Sequence, residues 1–222
     1  MAYPLRATPK GLVFHVMNRA VQKRRLFEVA SDYEAFMRCL AFAHARVPVA
    51  LLAYCIMPNH FHLVLMSNED GQISKFMKLL ESTHSKRWHA CRRTTGTGAV
   101  YQSRFKAFPV QCDLHFFVVC RYVERNALRA GLVQRAEDWQ WGSLAHFCGA
   151  RHSVPVAEWP IARPCDWLLW VNEGESLQSL DGVRKSVSTG QPYGQRRWVD
   201  KVARDLGIEE RLGKPGRPKN DL

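Results

Sequence analysis

The chemistry-bearing residues of this 222-residue chain are two histidines and a tyrosine: His60-Phe61-His62, and Tyr122 with Asn126 four positions further on. In a strand, side chains at i and i+2 leave the same face with Cα atoms roughly 7 Å apart. Two imidazoles placed that way can share one metal ion while Phe61 and Leu63 face a core. In a helix, i and i+4 share a face with Cβ atoms about 6 Å apart, so a phenol and a carboxamide oxygen point into the same space. A phenol with an ordinary pKa of about 10 is a poor nucleophile until activated. A nearby cation would stabilise the phenolate and polarise a target phosphate, and Asn126 could supply a third metal ligand. Plainer readings of the same residues stand beside these. His60 and His62 also suit an exposed sheet face, Tyr122 a packing aromatic and Asn126 a helix C-cap. Arg121, Arg125 and Arg129 follow at helical spacing. Three cations in register repel one another, which a phosphodiester laid across them relieves; a solvated helix face is the alternative.

These residues need a strand and a helix to position them, and the pattern supplies both. Residues 49–56 and 60–66 are apolar runs around Met57-Pro58-Asn59, which predicts two strands joined by a tight turn. Gly11 to Asn18 is β-branched and aromatic and predicts a first strand. Ser31-Asp-Tyr-Glu34 fits a capping box for a helix over about 32–46. Ile73, Phe76, Met77 and Leu80 mark a second helix, with Lys75, Lys78, Lys86 and Arg87 on its other faces. Residues 101–111 predict another strand, basic at Arg104 and Lys106. Asp113 caps a third helix running to about Leu128 and stopping near Gly131. The order predicts an α+β fold, an antiparallel sheet with helices packed on it. Beyond residue 150 a Pro-rich connector leads to one or two short helices, the better one over 196–206, and then to a basic Pro/Gly-rich tail. The expected division is a domain over 1–150, a helical extension over 151–213 and a basic tail over 214–222.

Composition restricts the partners. There are 32 Lys+Arg against 20 Asp+Glu, a net charge of +12, which attracts polyanions such as nucleic acid. The seven cysteines are odd in number and lack any CxxC spacing, which argues against a zinc knuckle or disulfide framework and for reduced, mostly buried thiols. Met1 to Leu12 holds no long apolar run and no stretch reaches membrane-span length, so a soluble cytoplasmic protein is expected.

Taken together, the motifs resemble a known family. Met57-Pro-Asn-His-Phe-His-Leu-Val-Leu65 resembles the HUH signature of single-tyrosine transposases. Arg121-Tyr-Val-Glu-Arg-Asn126, followed by Arg129-Ala-Gly-Leu-Val133, resembles their tyrosine helix. His15-Val-Met-Asn-Arg19, Arg104-Phe-Lys-Ala-Phe-Pro-Val-Gln111 and Trp139-Gln-Trp-Gly-Ser-Leu144 are similar to motifs of the REP-associated tyrosine transposase group. So are Trp167 with Val171-Asn-Glu173, and Gly190-Gln-Pro-Tyr-Gly194 with Trp198 and Leu206-Gly207. The resemblance spans nearly the whole chain, and the ordered set is specific where single motifs are not.

The resemblance implies a ferredoxin-like sheet with the HUH strand within it and the tyrosine helix beside it. It implies that His60, His62 and Asn126 hold a divalent cation, Mg²⁺ or Mn²⁺. Tyr122 would attack a phosphodiester, leaving a 5′-phosphotyrosine link and a 3′-OH. The substrates would be single-stranded or hairpin DNA of repetitive extragenic palindromes, without a nucleotide cofactor, in an enzyme that is monomer or dimer. Arg19, Arg104, Lys106, Arg121, Arg125, Arg129 and Arg217 are the expected DNA contacts. Two imidazoles and an amide form a site of intermediate softness, so Mn²⁺ should bind more tightly than Mg²⁺. Two positions depart from the family pattern. Ala127 stands where a Pro is usual after the Asn, which lets the helix run on, and Cys112 stands where an acidic or polar residue is expected. Pro215-Gly-Arg-Pro-Lys219 is similar to an AT-hook core, or is simply a basic tail. Two competing functions remain: a catalytically weak hairpin-binding regulator with the same fold, and a zinc hydrolase acting through bound water.

Overall fold

Phe61, Leu63 and Leu65 alternate with His60, His62 and Val64, and the period-2 geometry of a strand sends the two sets to opposite faces. In the computed structural model, which describes residues 7–150 and 154–212, this run is strand β3 (His60–Met66). It lies between β1 (Val13–Arg19) and β2 (Ala50–Met57), and β4 (Lys106–Val110) pairs with the far side of β1. All pairings are antiparallel and the order is β2-β3-β1-β4, the ferredoxin-like arrangement expected. Only residues 106–110 of the anticipated 101–111 strand join the sheet as a strand. Tyr101 makes an isolated bridge to Ala20 instead.

Each face of the sheet carries its own apolar cluster. On one, Phe14, Val16, Phe61 and Leu63 pack against Phe36 and Leu40 of α1 (Ala30–Arg46) and Phe76 and Leu80 of α2 (Gln72–Arg92). Helix α1 starts earlier than the Ser31 box predicts. Asp32, not Ser31, does the capping: its carboxylate accepts from the Glu28 and Val29 N–H groups and pairs with Arg92 at 2.9 Å. On the other face, Val13, Cys55 and Val64 pack against Phe116, Val119 and Val123 of α3 (Leu114–Glu124). As expected, Asp113 caps α3, accepting from the His115 N–H.

Helix α3 does not run unbroken to Leu128. It ends at Glu124, and α4 (Asn126–Arg129) resumes after Arg125. Arg129 bends back so that its guanidinium donates to the Tyr122 carbonyl at 3.1 Å, a side-chain cap on a helix C-terminal oxygen. Ala127 is fully buried at this junction.

The C-terminal part forms more helix than the one or two segments anticipated: α6 (Trp167–Asn172), α7 (Leu177–Thr189) and α8 (Arg196–Asp205), after a short α5 (Ser143–Phe147). Trp167, Val171 and Val183 are buried in the same cluster as Phe116 and Val119, so this segment completes the core over α3.

The chain also covers both sheet edges, where unpaired backbone groups would otherwise invite another strand. Along β2, the Ile56 N–H donates to the Trp141 carbonyl and the Ala157 N–H to the Leu51 carbonyl. Along β4, the Gln111 N–H donates to the Tyr193 carbonyl and the Tyr193 N–H to the Pro109 carbonyl. Gly194 follows because a Cβ there would lie 2.6 Å from Gln111 Oε1 and 2.7 Å from the Trp198 ring.

All seven cysteines are free, as expected, but only Cys39, Cys55 and Cys120 are buried. Cys91, Cys112, Cys148 and Cys165 are exposed, because they fall on helix outer faces and connecting segments rather than on the apolar stripes. Among the described residues, no helix is long and apolar enough to cross a membrane.

Candidate active site

Antiparallel register brings β1 and β3 together so that Met17 lies opposite His62 and Arg19 opposite His60. His15 is two residues before Met17, on the same face as His60 and His62, under α3. The rings of His60 and His62 stand 4.9 Å apart and nearly perpendicular. The Tyr122 ring meets His62 edge-on at 5.8 Å and His15 at 6.2 Å. The structure thus brings the phenol and the histidine pair, 60 residues apart in sequence, into one site.

The imidazoles are held in defined orientations. Asn59 Oδ1 lies 2.6 Å from His60 Nδ1, and an amide oxygen can only accept. The His60 hydrogen therefore sits on Nδ1 and its Nε2 lone pair is free. His62 Nδ1 lies 2.8 Å from His15 Nε2. Burial lowers the pKa of His60 to about 4, helped by Arg19 and Arg129. Burial holds His62 well below its ordinary value, with His60, His15, Arg129 and Arg19 adding to the effect. Burial alone brings His15 down to about 3. Neutral imidazoles with free lone pairs are what a metal ligand requires. Asn126, one helical turn from Tyr122, is buried, and its amide nitrogen position has no hydrogen-bond partner. Because an amide's two ends are interchangeable by a flip, that orphan fits an amide waiting for a ligand. Among the described residues, no group of three His, Cys, Asp or Glu converges as a metal site. A cation here would therefore take two imidazoles plus a weaker donor, and His60, His62 and Asn126 fit that requirement.

The histidines also yield a stability prediction. An unfolded chain's histidines take up protons below about pH 6.5. His15, at about 3, and His60 and His84, at about 4, stay neutral in the fold. The unfolded state then binds more protons, so stability is complete above about pH 6.5 and is lost as pH falls toward 4 and below. The slope should be on the order of 1 kcal/mol per pH unit for each histidine. Urea midpoints of the cation-free protein at pH 7.5, 5.5 and 4.5 should fall steadily; a flat series would contradict the burial described here.

The arginines are placed differently from one another. Arg129 lies over the Tyr122 ring, 4.2 Å from its centroid. Arg19 is half-buried beside the histidines, with its Nε unpartnered. Arg104 and Lys106 are exposed on and before β4. On α3 and α4 the three arginines find partners within the chain itself. Arg121 donates to the Glu173 and Gly174 carbonyls and Arg125 to the Val171 carbonyl. Glu175 reaches Arg125 at 3.5 Å and Arg129 at 2.8 Å. The mutual repulsion is thus relieved by the chain's own carboxylate and backbone oxygens. Arg217 and the AT-hook-like segment lie outside the described residues.

Sequence reasoning assigned no role to His15, Glu124 or Glu175. His15 was within reach, since it alternates with the core residues Phe14 and Val16. Glu124 and Glu175 carried no local signal, because their partners lie 19 to 46 residues away.

The sequence matches the family of IS200-like transposases over residues 9–126. No curated protein matches it. A solved structure described as a REP-associated tyrosine transposase bound to a REP hairpin superposes with a TM-score of 0.54 at 16% identity, covering 74% of this chain and 98% of that one. A second, named provisionally as a transposase from Deinococcus radiodurans R1, gives a TM-score of 0.37 at 19% identity over 50% of this chain and 87% of that one.

Proposed function

Since the chain belongs to the IS200-like transposase family, we propose that it nicks and joins single-stranded DNA through Tyr122, with a divalent cation held by His60, His62 and Asn126. The observation that carries this reading is the Tyr122 ring set edge-on to His62 at 5.8 Å, on a separate element from the histidine pair. The similarly folded REP hairpin-bound transposase suggests the substrate class: hairpin DNA of repetitive extragenic palindromes with a single-stranded flank. The net charge of +12 suits such a polyanion.

In this reaction the Tyr122 oxygen attacks the scissile phosphorus. The phenol proton passes to solvent, the bond to the 3′-oxygen breaks, and that oxygen takes a proton from solvent and leaves as a 3′-OH. The phosphodiester energy is kept in the 5′-phosphotyrosine bond. A returning 3′-OH attacks the same phosphorus, re-forms the diester and frees Tyr122, so atoms balance without a nucleotide cofactor. When bound, the cation, Mg²⁺ or Mn²⁺, would polarise the phosphate oxygens and favour the phenolate. Asn59 fixes the His60 ring, and the Arg129 guanidinium over the phenol ring adds a positive field where negative charge develops. Arg19 flanks the pair from the strand end, and Arg104 and Lys106 offer exposed charge for the flanking strand.

The test is direct. Wild-type protein incubated with a labelled hairpin panel in Mg²⁺ and in Mn²⁺ should leave DNA covalently attached in a denaturing gel. Mass spectrometry of the digested adduct should place the nucleotide on Tyr122, with Mn²⁺ giving the higher yield. Hairpin binding without any adduct, in either cation, would favour a regulator that only binds.

A further inference from the structure

His15 belongs to neither proposed ligand set nor nucleophile, yet it is the closest polar neighbour of His62. It is fully buried, its Nε2 lies 2.8 Å from His62 Nδ1, and the ring centroids are 5.0 Å apart with the planes inclined by 18°, so the rings meet edge to edge. Phe108 closes its other side at 4.8 Å, and Tyr122 meets it edge-on. Its remaining nitrogen, Nδ1, is buried with no hydrogen-bond partner.

With Nδ1 engaged by His15, His62 has only Nε2 to offer a cation. A neutral imidazole presents a lone pair on one nitrogen only when its hydrogen sits on the other. His62 can ligate through Nε2 only if Nδ1–H donates to His15 Nε2. In the opposite arrangement, with the hydrogen on His15 Nε2, His62 carries its own hydrogen on Nε2 and is closed to a cation. The pair therefore has two settings that share one hydrogen. The competent one places an N–H on His15 Nδ1, which is buried.

We propose that His15 is a positioning residue for strand transfer: it accepts the His62 Nδ1–H, and so fixes the tautomer and ring plane that present His62 Nε2 to the cation. This rests on the cation-dependent reading above. It gives β1 a part in the site that the His60-Phe61-His62 pattern alone does not contain. Second-sphere partners of metal-bound histidines commonly change metal affinity about 10- to 100-fold when removed.

Two measurements test it. Ring ¹⁵N spectra of the labelled wild-type protein, loaded with diamagnetic Zn²⁺ or Mg²⁺, should show His62 protonated at Nδ1 and not at Nε2. Mn²⁺ titration should show a loss of about 10- to 100-fold in affinity for His15→Phe. His15→Gln, whose amide oxygen can accept the same hydrogen, should recover most of it. If the Phe variant does not fold, the wild-type spectra still decide. A cation-loaded His62 protonated at Nε2, or a folded Phe variant binding Mn²⁺ within about twofold of wild type, would overturn the role of His15 while leaving the cation site in place. A wild-type protein that binds no Mn²⁺ would instead sink the cation reading, and this inference with it.

Discussion

A Tyr122→Phe protein leaves no covalent DNA adduct and releases no new 3′-OH, while binding hairpin DNA about as tightly as wild type. The substitution deletes one oxygen and keeps the ring. The ring makes the contacts in the structure: edge-on to His62 and His15 and beneath the Arg129 guanidinium. The hydroxyl makes no hydrogen bond to a described residue. Stability should therefore stay within about 0.5 kcal/mol of wild type, the range of substitutions that remove no buried partner. Catalysis is another matter, because a nucleophilic mechanism has no path without its nucleophile. The loss should be complete within assay limits, the largest effect expected of any single substitution here. Quantitative gel analysis of adduct and free 3′ product, run beside fluorescence anisotropy for binding, checks both halves. Cleavage that survives in the Phe protein would point to attack by bound water and displace the tyrosine mechanism.

The second large effect concerns stability. Glu124, two residues after Tyr122, turns to the opposite side of α3 and is fully enclosed. Its carboxylate accepts from Ser143 Oγ and from Trp167 Nε1, both at 2.7 Å. Burial pushes its pKa up, opposed by the nearby Arg163 guanidinium and by those two hydrogen bonds. Arg163 itself is held between the Trp159 and Phe147 rings at 3.8 and 4.0 Å. Ser143 Oγ also accepts from the Tyr54 N–H on β2. One carboxylate thus joins the tyrosine helix to α5, to the C-terminal segment and, through Ser143, to the sheet edge.

Glu124→Ala should cost roughly 3–5 kcal/mol, because it strands a buried indole N–H, a hydroxyl and a neighbouring guanidinium. Glu124→Gln should cost less, roughly 1–3 kcal/mol, since one amide oxygen still serves one donor while its NH₂ faces the other. Urea unfolding followed by tryptophan fluorescence reads both. An Ala variant within about 0.5 kcal/mol of wild type would show that the network does not hold the helix.

Which features could be read from the chain follows from the range of the interactions. The first three strands, the two long helices and the Asp113 cap were legible because each depends on periodicity or a cap within a few residues. His60 and His62 on one face of β3, and Tyr122 one turn from Asn126 across the α3–α4 junction, follow from that periodicity alone. The α1 start was placed by the local Ser31 box, whereas Asp32 does the capping and also reaches Arg92 across the helix pair. The arginines at 121, 125 and 129 had the spacing expected of a phosphate ladder. What the spacing could not contain was Glu175, 46 residues from Arg129, which takes two of them.

By itself, then, the sequence determined most of the elements, the net positive charge and the identities of the candidate site residues. Only the tertiary structure decided which of them meet. Strand register set His15 against His62, and packing of α3 on that face set the phenol beside both. Burial then made the histidines neutral, which no spacing encodes. Local pattern fixes where a side chain points from its own element; its pKa and its partners depend on dielectric and contacts supplied by residues far away in the chain.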